Sequence, residues 1–337
     1  MNEPSHNFII GIGRSGTTLL MNMLNNHEKI IAFPEIRFFN FFYHSWKNKK
    51  SIELHDLNAI HTYFLVHKSR IEHSPYRWKE ELFIDQLKNI KTKAFSEKYS
   101  AFFNSFIFNG ESKKAEFVFD KNPINTLFAN EISAEFPKAK FIFMVRGPRA
   151  NYLSRKQKVI FSENIYFNCY RWNFYNECAL KFQEEHPDKT IIVKYENLVS
   201  DPENQLKTIA DFCGFEYSAN MLDFHKTVRN TRDIPSIAKQ DKTGLLEDKL
   251  TRLSEPVNTK RLNAWQNELS EQEINIISCI CHSTAAELGY TIPYTHSGTL
   301  IKKLIGWLKA KADFYKSKLL FKTPLAIKLW LVKRKSG

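Results

Sequence analysis

The stretch Phe8-Ile9-Ile10-Gly11-Ile12-Gly13-Arg14-Ser15-Gly16-Thr17-Thr18-Leu19-Leu20 decides the fold. Phe8 to Ile12 is a short apolar run closed by glycine, the pattern of a buried strand. From Thr18 to Asn26 the apolar residues Leu19, Leu20, Met23 and Leu24 fall at helical spacing. The unit is therefore strand, glycine-rich turn, helix. Glycines let the backbone approach an anion closely, and a helix N-terminus offers N–H groups that no carbonyl of the helix accepts. Ser15, Thr17 and Thr18 add hydroxyls, so Gly13 to Thr18 reads as a phosphate cradle.

Gly11 to Thr18 has the spacing of a Walker A loop with one change. Thr17 stands where that motif carries its lysine, and the loop's cation is Arg14, three residues earlier. The Walker lysine contacts the β- and γ-phosphates of a nucleoside triphosphate. The loop here suits instead a donor with one 5′-phosphate and a reactive group beside it.

Outward from the loop, short apolar segments alternate with helical ones. Phe117-Val118-Phe119, Phe141 to Val145 and Ile191 to Tyr195 read as further strands. Helices are expected to end at Phe136, to start near Arg149, and to run from Pro202 to Cys213 with Gly214 as the closing glycine. Residues 226–262 read as polar and loop-rich, and Ala264 to Leu288 as one helix. Alternation of this kind predicts a P-loop-like α/β fold, a parallel sheet flanked by helices, with ligands at the C-terminal strand ends. Residues 36–115 form an aromatic-rich insert that reads as mostly helical and placed on the acceptor side. Its rings are either core packing or an apolar wall for the acceptor.

Composition narrows the function. The chain has 337 residues and a formal net charge of +13, but residues 301–337 hold eleven Lys/Arg and one acid, Asp313. Residues 1–300 keep only +3, so the high charge describes a tail and gives no argument for nucleic-acid binding by the main domain. Five scattered cysteines do not form a disulfide framework, and no paired-histidine or Cys/His spacing suggests a metal site. The N-terminus lacks a basic segment followed by an apolar run, and no stretch of about 20 apolar residues occurs. The expected location is cytoplasmic, with a peripheral membrane association through the tail as one reading.

The Gly11–Thr18 loop resembles the 5′-phosphosulfate loop of the PAPS-dependent sulfotransferases, nearest to the tyrosylprotein sulfotransferase branch and its bacterial relatives. The resemblance continues in islands from Phe8 to about Trp265. Phe141 to Ser154 is similar to the segment holding the donor's 3′-phosphate, which implies that role for Arg146 and Ser154. Independently, an arginine fork after a strand and a helix-borne hydroxyl suit a phosphate. Val193 to Pro202 resembles the strand end placed near adenine, which implies that position for Tyr195. Pro256-Val257-Asn258 and Trp265 resemble a segment closing over the donor. The family's lysine before that Pro-Val-Asn is replaced by Glu255, and Arg252, Lys260 or Arg261 is the alternative cation.

Sulfuryl transfer requires a base for the acceptor hydroxyl and cations for the sulfonate and the leaving phosphate. The resemblance implies Glu35 as the base, with His27 and His44 as fallbacks, and Lys121 beside Arg14 as the cations. No metal is expected. The implied co-substrate is PAPS, with PAP as product, and the implied partner is a hydroxyl-bearing acceptor: phenol, sterol, lipid, sugar or tyrosine. Two rivals remain, a P-loop kinase or NTPase and an inactive PAP-binding module. The domain is expected to span residues 1–298. Residues 299–337 read as a basic amphipathic tail of two helical pieces split at Pro324, either lying on an anionic membrane surface or packed on the domain. A nucleic-acid-binding tail is the weakest reading.

Overall fold

The computed structural model describes residues 4–53, 56–63, 76–90, 92–108, 115–157, 162, 164–231 and 251–336. The loop-rich reading of 226–262 falls outside the described residues between 232 and 250, as do parts of the insert, and it is corrected at its start, where helix Phe224–Thr231 runs.

Alternating burial builds the sheet. Strand β1 (Ser5–Ile10) sends Phe8 and Ile10 to one core and Ile9 to the other, and β6 (Phe141–Val145) splits Phe141, Phe143 and Val145 from Ile142 and Met144. A strand apolar on both faces must be covered on both, which is the environment of a parallel α/β sheet. Fully burying one such side chain contributes roughly 1.5–3 kcal/mol. With β2 (Ile30–Phe33), β5 (Phe117–Lys121) and β7 (Thr190–Lys194), these strands form a five-stranded sheet in the order β2-β5-β1-β6-β7. Every pairing in it is parallel. All five C-terminal strand ends therefore share one edge.

The α/β expectation is met, with differences in detail. Strand β2 has no counterpart in the sequence reading: four apolar residues after a turn are too few to separate from loop. The strand at the loop ends at Ile10, because Gly11 turns the chain at φ 128° and lies flat against Met144. The helix expected over 264–288 is two, Trp265–Glu268 and Glu271–Glu287. Ser270 and Glu273 form a capping box that starts the second.

The insert contains helices Phe38–Trp46, Glu80–Asn89 and Phe95–Asn104, and also an antiparallel pair, β3 (Tyr76–Trp78) with β4 (Phe106–Phe108). Its rings are core: Phe38 stacks on Phe102 with centroids 3.9 Å apart, and Phe33 meets Phe103 at 4.6 Å. The tail forms helices Leu300–Lys322 and Leu325–Ser336, broken at Pro324 as expected. One side of the first packs on helix Ile165–Glu185, where Gly306 sits so close to Tyr166 that a β-carbon would come within 2.3 Å of it. Phe321 stacks on Phe128 at 4.2 Å. Buried Lys328 donates to the carbonyls of Asn40, Phe41 and Phe321 and ties both tail helices to the insert.

Candidate active site

Each of the five strand ends delivers a residue to one edge. The chain leaves β2 to Glu35, β5 ends on Lys121, β1 runs into the loop, β6 is followed by Arg146 and β7 by Tyr195. A cavity of about 670 Å³ opens there, lined by Gly13, Arg14, Gly16, Thr17, Thr18, Glu35, Arg146, Ser154 and Tyr195.

The loop is built to approach an anion. Gly16 takes φ 89°, and a β-carbon on it would lie 2.5 Å from the Tyr195 ring. At Gly13 an added β-carbon meets nothing within 4 Å, so the backbone is bare toward open space. Helix Thr17–Asn25 begins without a side-chain cap, leaving its first-turn N–H groups for a ligand. Arg14 is the single non-glycine residue with positive φ (76°) among the described residues. Its Nε donates to Ser154 Oγ at 3.0 Å, joining the loop to helix Pro148–Lys156. Ser15 is fully buried and braces the loop: its hydroxyl accepts from Asn151 Nδ2 at 3.1 Å, and the same amide donates to Gly13 O at 3.2 Å.

Arg146 packs its guanidinium on the Tyr195 ring at 4.3 Å. It donates to the carbonyls of Arg261, at 3.2 Å, and Arg14, within 3.5 Å. Its buried Nε has no hydrogen-bond partner, and burial lowers its pKa. A buried cation of this kind fits an anionic ligand, which would offset the desolvation. Trp172 Nε1 donates to Arg146 O, and Glu196 accepts from Gly147 N at 3.0 Å, so the strand end is held from two sides.

Lys121 Nζ donates to Glu35 Oε1 at 2.9 Å. Lys121 is 1% exposed, whereas the Glu35 side chain is 37% exposed on the cavity wall. Asp120, before Lys121 in β5, is buried, and desolvation pushes its carboxyl up to about 7 against the pull of Tyr99, Asn125 and Lys121. His27 bonds Glu216 O at 3.0 Å, and neither it nor His44 lines the cavity.

Arg252, Glu255, Pro256, Val257, Asn258, Lys260 and Arg261 also line the cavity, so three cations share its wall with Glu255. Sequence reading missed Arg37, Arg155, Arg171 and Tyr175, which also line the cavity. Burial pulls the Arg155 guanidinium down to about 9, and Arg171 pairs with Asp313 at 3.0 Å. Arg37 stands two residues after Glu35 and Arg155 one after Ser154, a proximity that was readable. Arg171 comes from a distant helix. Among the described residues, the insert's aromatic rings do not wall this cavity; they close the core. No cluster of three metal-ligating side chains occurs among the described residues.

An uncapped phosphate loop, the buried Arg146 and a carboxylate, Glu35, on one cavity, with Lys121 buried behind the carboxylate, define a group-transfer enzyme of the phosphate-loop α/β class. The chain belongs to the sulfotransferase family: the family model described as Sulfotransferase family matches residues 7–219. It is 24% identical to protein-tyrosine sulfotransferase 2 of Gallus gallus over 299 residues, 86% of this chain and 70% of that protein. A putative protein-tyrosine sulfotransferase of Caenorhabditis briggsae is 25% identical over 276 residues, covering 79% of this chain and 82% of that one. The fold is similar to the sulfotransferase domain of the Synechococcus PCC 7002 olefin synthase, with TM-score 0.55, 18% identity, and coverage of 87% of this chain and 98% of that one. The sulfotransferase domain from the curacin biosynthetic pathway gives TM-score 0.53 at 18% identity, covering 87% and 100%.

Proposed function

We propose that this sulfotransferase moves a sulfuryl group from PAPS to an acceptor hydroxyl, and that the acceptor is a tyrosine phenol flanked by acidic groups. The observation that carries the reading is Glu35 on the wall of the cavity that also holds the phosphate loop and Arg146, with buried Lys121 bonded to it from behind that wall.

Glu35 accepts the proton as the acceptor oxygen forms its bond to sulfur. The bond from sulfur to the 5′-phosphate oxygen breaks in the same displacement, and PAP leaves. Arg14 and Lys121 stabilise the charge that grows on the sulfonate and on the leaving phosphate. The loop N–H groups bind the 5′-phosphate. Arg146 and Ser154 bind the 3′-phosphate, and the Tyr195 ring lies beside the base. Glu35 at 37% exposure can meet a hydroxyl from solvent, while buried Lys121 fixes its orientation. Arg37 on the same cavity suits an acidic neighbour of the acceptor. The tyrosine assignment also draws on what the relatives are called.

Two measurements test this. PAP should raise the melting temperature where ADP and ATP with magnesium do not, by mass action on the folded state. A shift with ATP and magnesium alone would favour the kinase reading. Radiolabelled PAPS with tyrosine peptides, acidic and neutral, should show transfer that Glu35→Gln lowers by about 10²–10⁴-fold in kcat, with PAP binding unchanged. Near-full turnover by Glu35→Gln would remove Glu35 as the base. Binding of PAP with no transfer to any hydroxyl would support an inactive PAP-binding module.

A further inference from the structure

Among the described residues, eleven large apolar side chains are exposed, and nine of them lie between Leu300 and Trp330. On helix Leu300–Lys322 they are ordered. Ile301, Leu304, Ile305, Leu308, Tyr315 and Leu319 recur at helical spacing and form one stripe, each at least 43% exposed. At 1.5 Å per residue the stripe is about 27 Å long. The opposite side, with Gly306, Ala310 and Phe321, is the side packed on the domain. An ordinary surface helix buries its apolar face and shows its polar one. Here the apolar stripe faces outward.

The charges border the stripe. Lys302, Lys309 and Lys316 follow one edge at intervals of seven residues, about a quarter turn from its centre. Lys311 and Lys318 follow the other edge, over the rings of Trp307 and Phe314 at 4.1 and 4.9 Å. Asp313 is the one acid in residues 299–337, and Arg171 engages it.

We propose that helix Leu300–Lys322 docks the enzyme on an anionic lipid surface, with the stripe entering the headgroup boundary and the bordering lysines meeting lipid phosphates. An apolar face bordered by lysines is the arrangement of an interfacial helix. No described helix is long and apolar enough to cross a membrane, so the segment lies on the surface. A second copy of this chain is a poorer occupant: two such faces would bring lysine borders together with no acids to answer them. A nucleic acid would leave the apolar centre unmatched. Asp313 on the docked helix pairs with Arg171 of the cavity wall, so lipid binding would hold the acceptor side close to the membrane.

The full chain is sedimented with phosphatidylcholine vesicles, with and without phosphatidylglycerol, at low and high salt. Binding is expected with phosphatidylglycerol only, and weaker at high salt. Lys302→Gln, Lys309→Gln and Lys316→Gln together should lower partition by on the order of a hundredfold. Leu304→Ser with Leu308→Ser should abolish it, with circular dichroism and gel filtration showing the fold kept. If that pair fails to fold, the lysine variant decides alone. Sedimentation that ignores phosphatidylglycerol, or lysine and stripe variants that bind like the parent, would overturn the proposal. So would a dimer that the stripe variant breaks, or single-stranded RNA bound in place of vesicles.

Discussion

Replacing Asp120 by asparagine should flatten the protein's pH–stability curve. Asp120 lies in the central sheet, 2% exposed, beside Lys121. Its Oδ2 accepts from Tyr99 at 2.8 Å and from Asn125 at 3.0 Å, while Oδ1 has no hydrogen-bond partner. Burial raises its pKa from 3.8 to about 7. Between these values the unfolded chain releases the proton and the folded chain keeps it. Stability therefore falls as pH rises through that window, by about 1.4 kcal/mol per unit and at most about 4 kcal/mol in all. The Asp120→Asn variant keeps one oxygen for Tyr99 and Asn125 and has no proton to lose. Urea unfolding of both proteins from about pH 4.5 to 8 isolates the effect, because other titrating groups cancel in the difference. The variant should gain on the parent as pH rises, less whatever attraction to Lys121 it forfeits at high pH. Parallel curves, or a variant that loses ground with rising pH, would refute the reasoning and make Asp120 an ionised counter-ion of Lys121.

Arg146→Ala removes a charged fork and should weaken PAP binding by about ten- to a hundredfold, read by calorimetry; unchanged affinity would place the 3′-phosphate elsewhere. Gly13→Ala and Gly11→Ala should separate ligand from fold. The first puts a methyl into open space and should keep the melting temperature while losing the PAP shift. The second brings its β-carbon within 2.2 Å of Met144 O at φ 128°, and should cost about 1–3 kcal/mol or more of stability. Equal melting temperatures for the two would contradict the loop geometry.

The loop and Arg146 were legible because each sits directly after an apolar strand, where contiguous sequence places it, whereas Tyr195 came from the resemblance and was read as the strand's last residue. Glu35 was reached through its place after the first helix and through resemblance, not through a strand, since β2 is only four residues long and gave no strand signal. Asn151, Trp172 and Glu196, which brace the loop and the β6 end, carried no local mark: their partners lie from 26 to 138 residues away. The aromatic insert allowed two readings, because ring-rich sequence looks the same whether it lines a cavity or fills a core. The tail likewise admitted a packed and an exposed reading, and the helix has a face for each. Its packed face is made by Gly306 and Ala310, small residues whose role shows only against Tyr166 and its neighbours.

Why the loop carries arginine and not the Walker lysine follows from what Arg14 touches. A left-handed non-glycine residue costs on the order of 1–3 kcal/mol, so its surroundings must hold it there. Two contacts do: Ser154 takes its side chain, and Arg146 reaches its carbonyl. Both partners belong to the other end of the proposed donor site, after β6. The loop and the second phosphate position are thus braced by the same three residues, and neither is set independently of the other. A lysine at position 17 would emerge from the first turn of the helix and make neither contact. The sheet order then arranges the rest, with Glu35 and Lys121 from β2 and β5 on one side of the loop and Arg146 and Tyr195 from β6 and β7 on the other. The residues proposed for acceptor chemistry and those proposed for nucleotide recognition thus fall on opposite flanks of β1, with the loop that carries Arg14 between them.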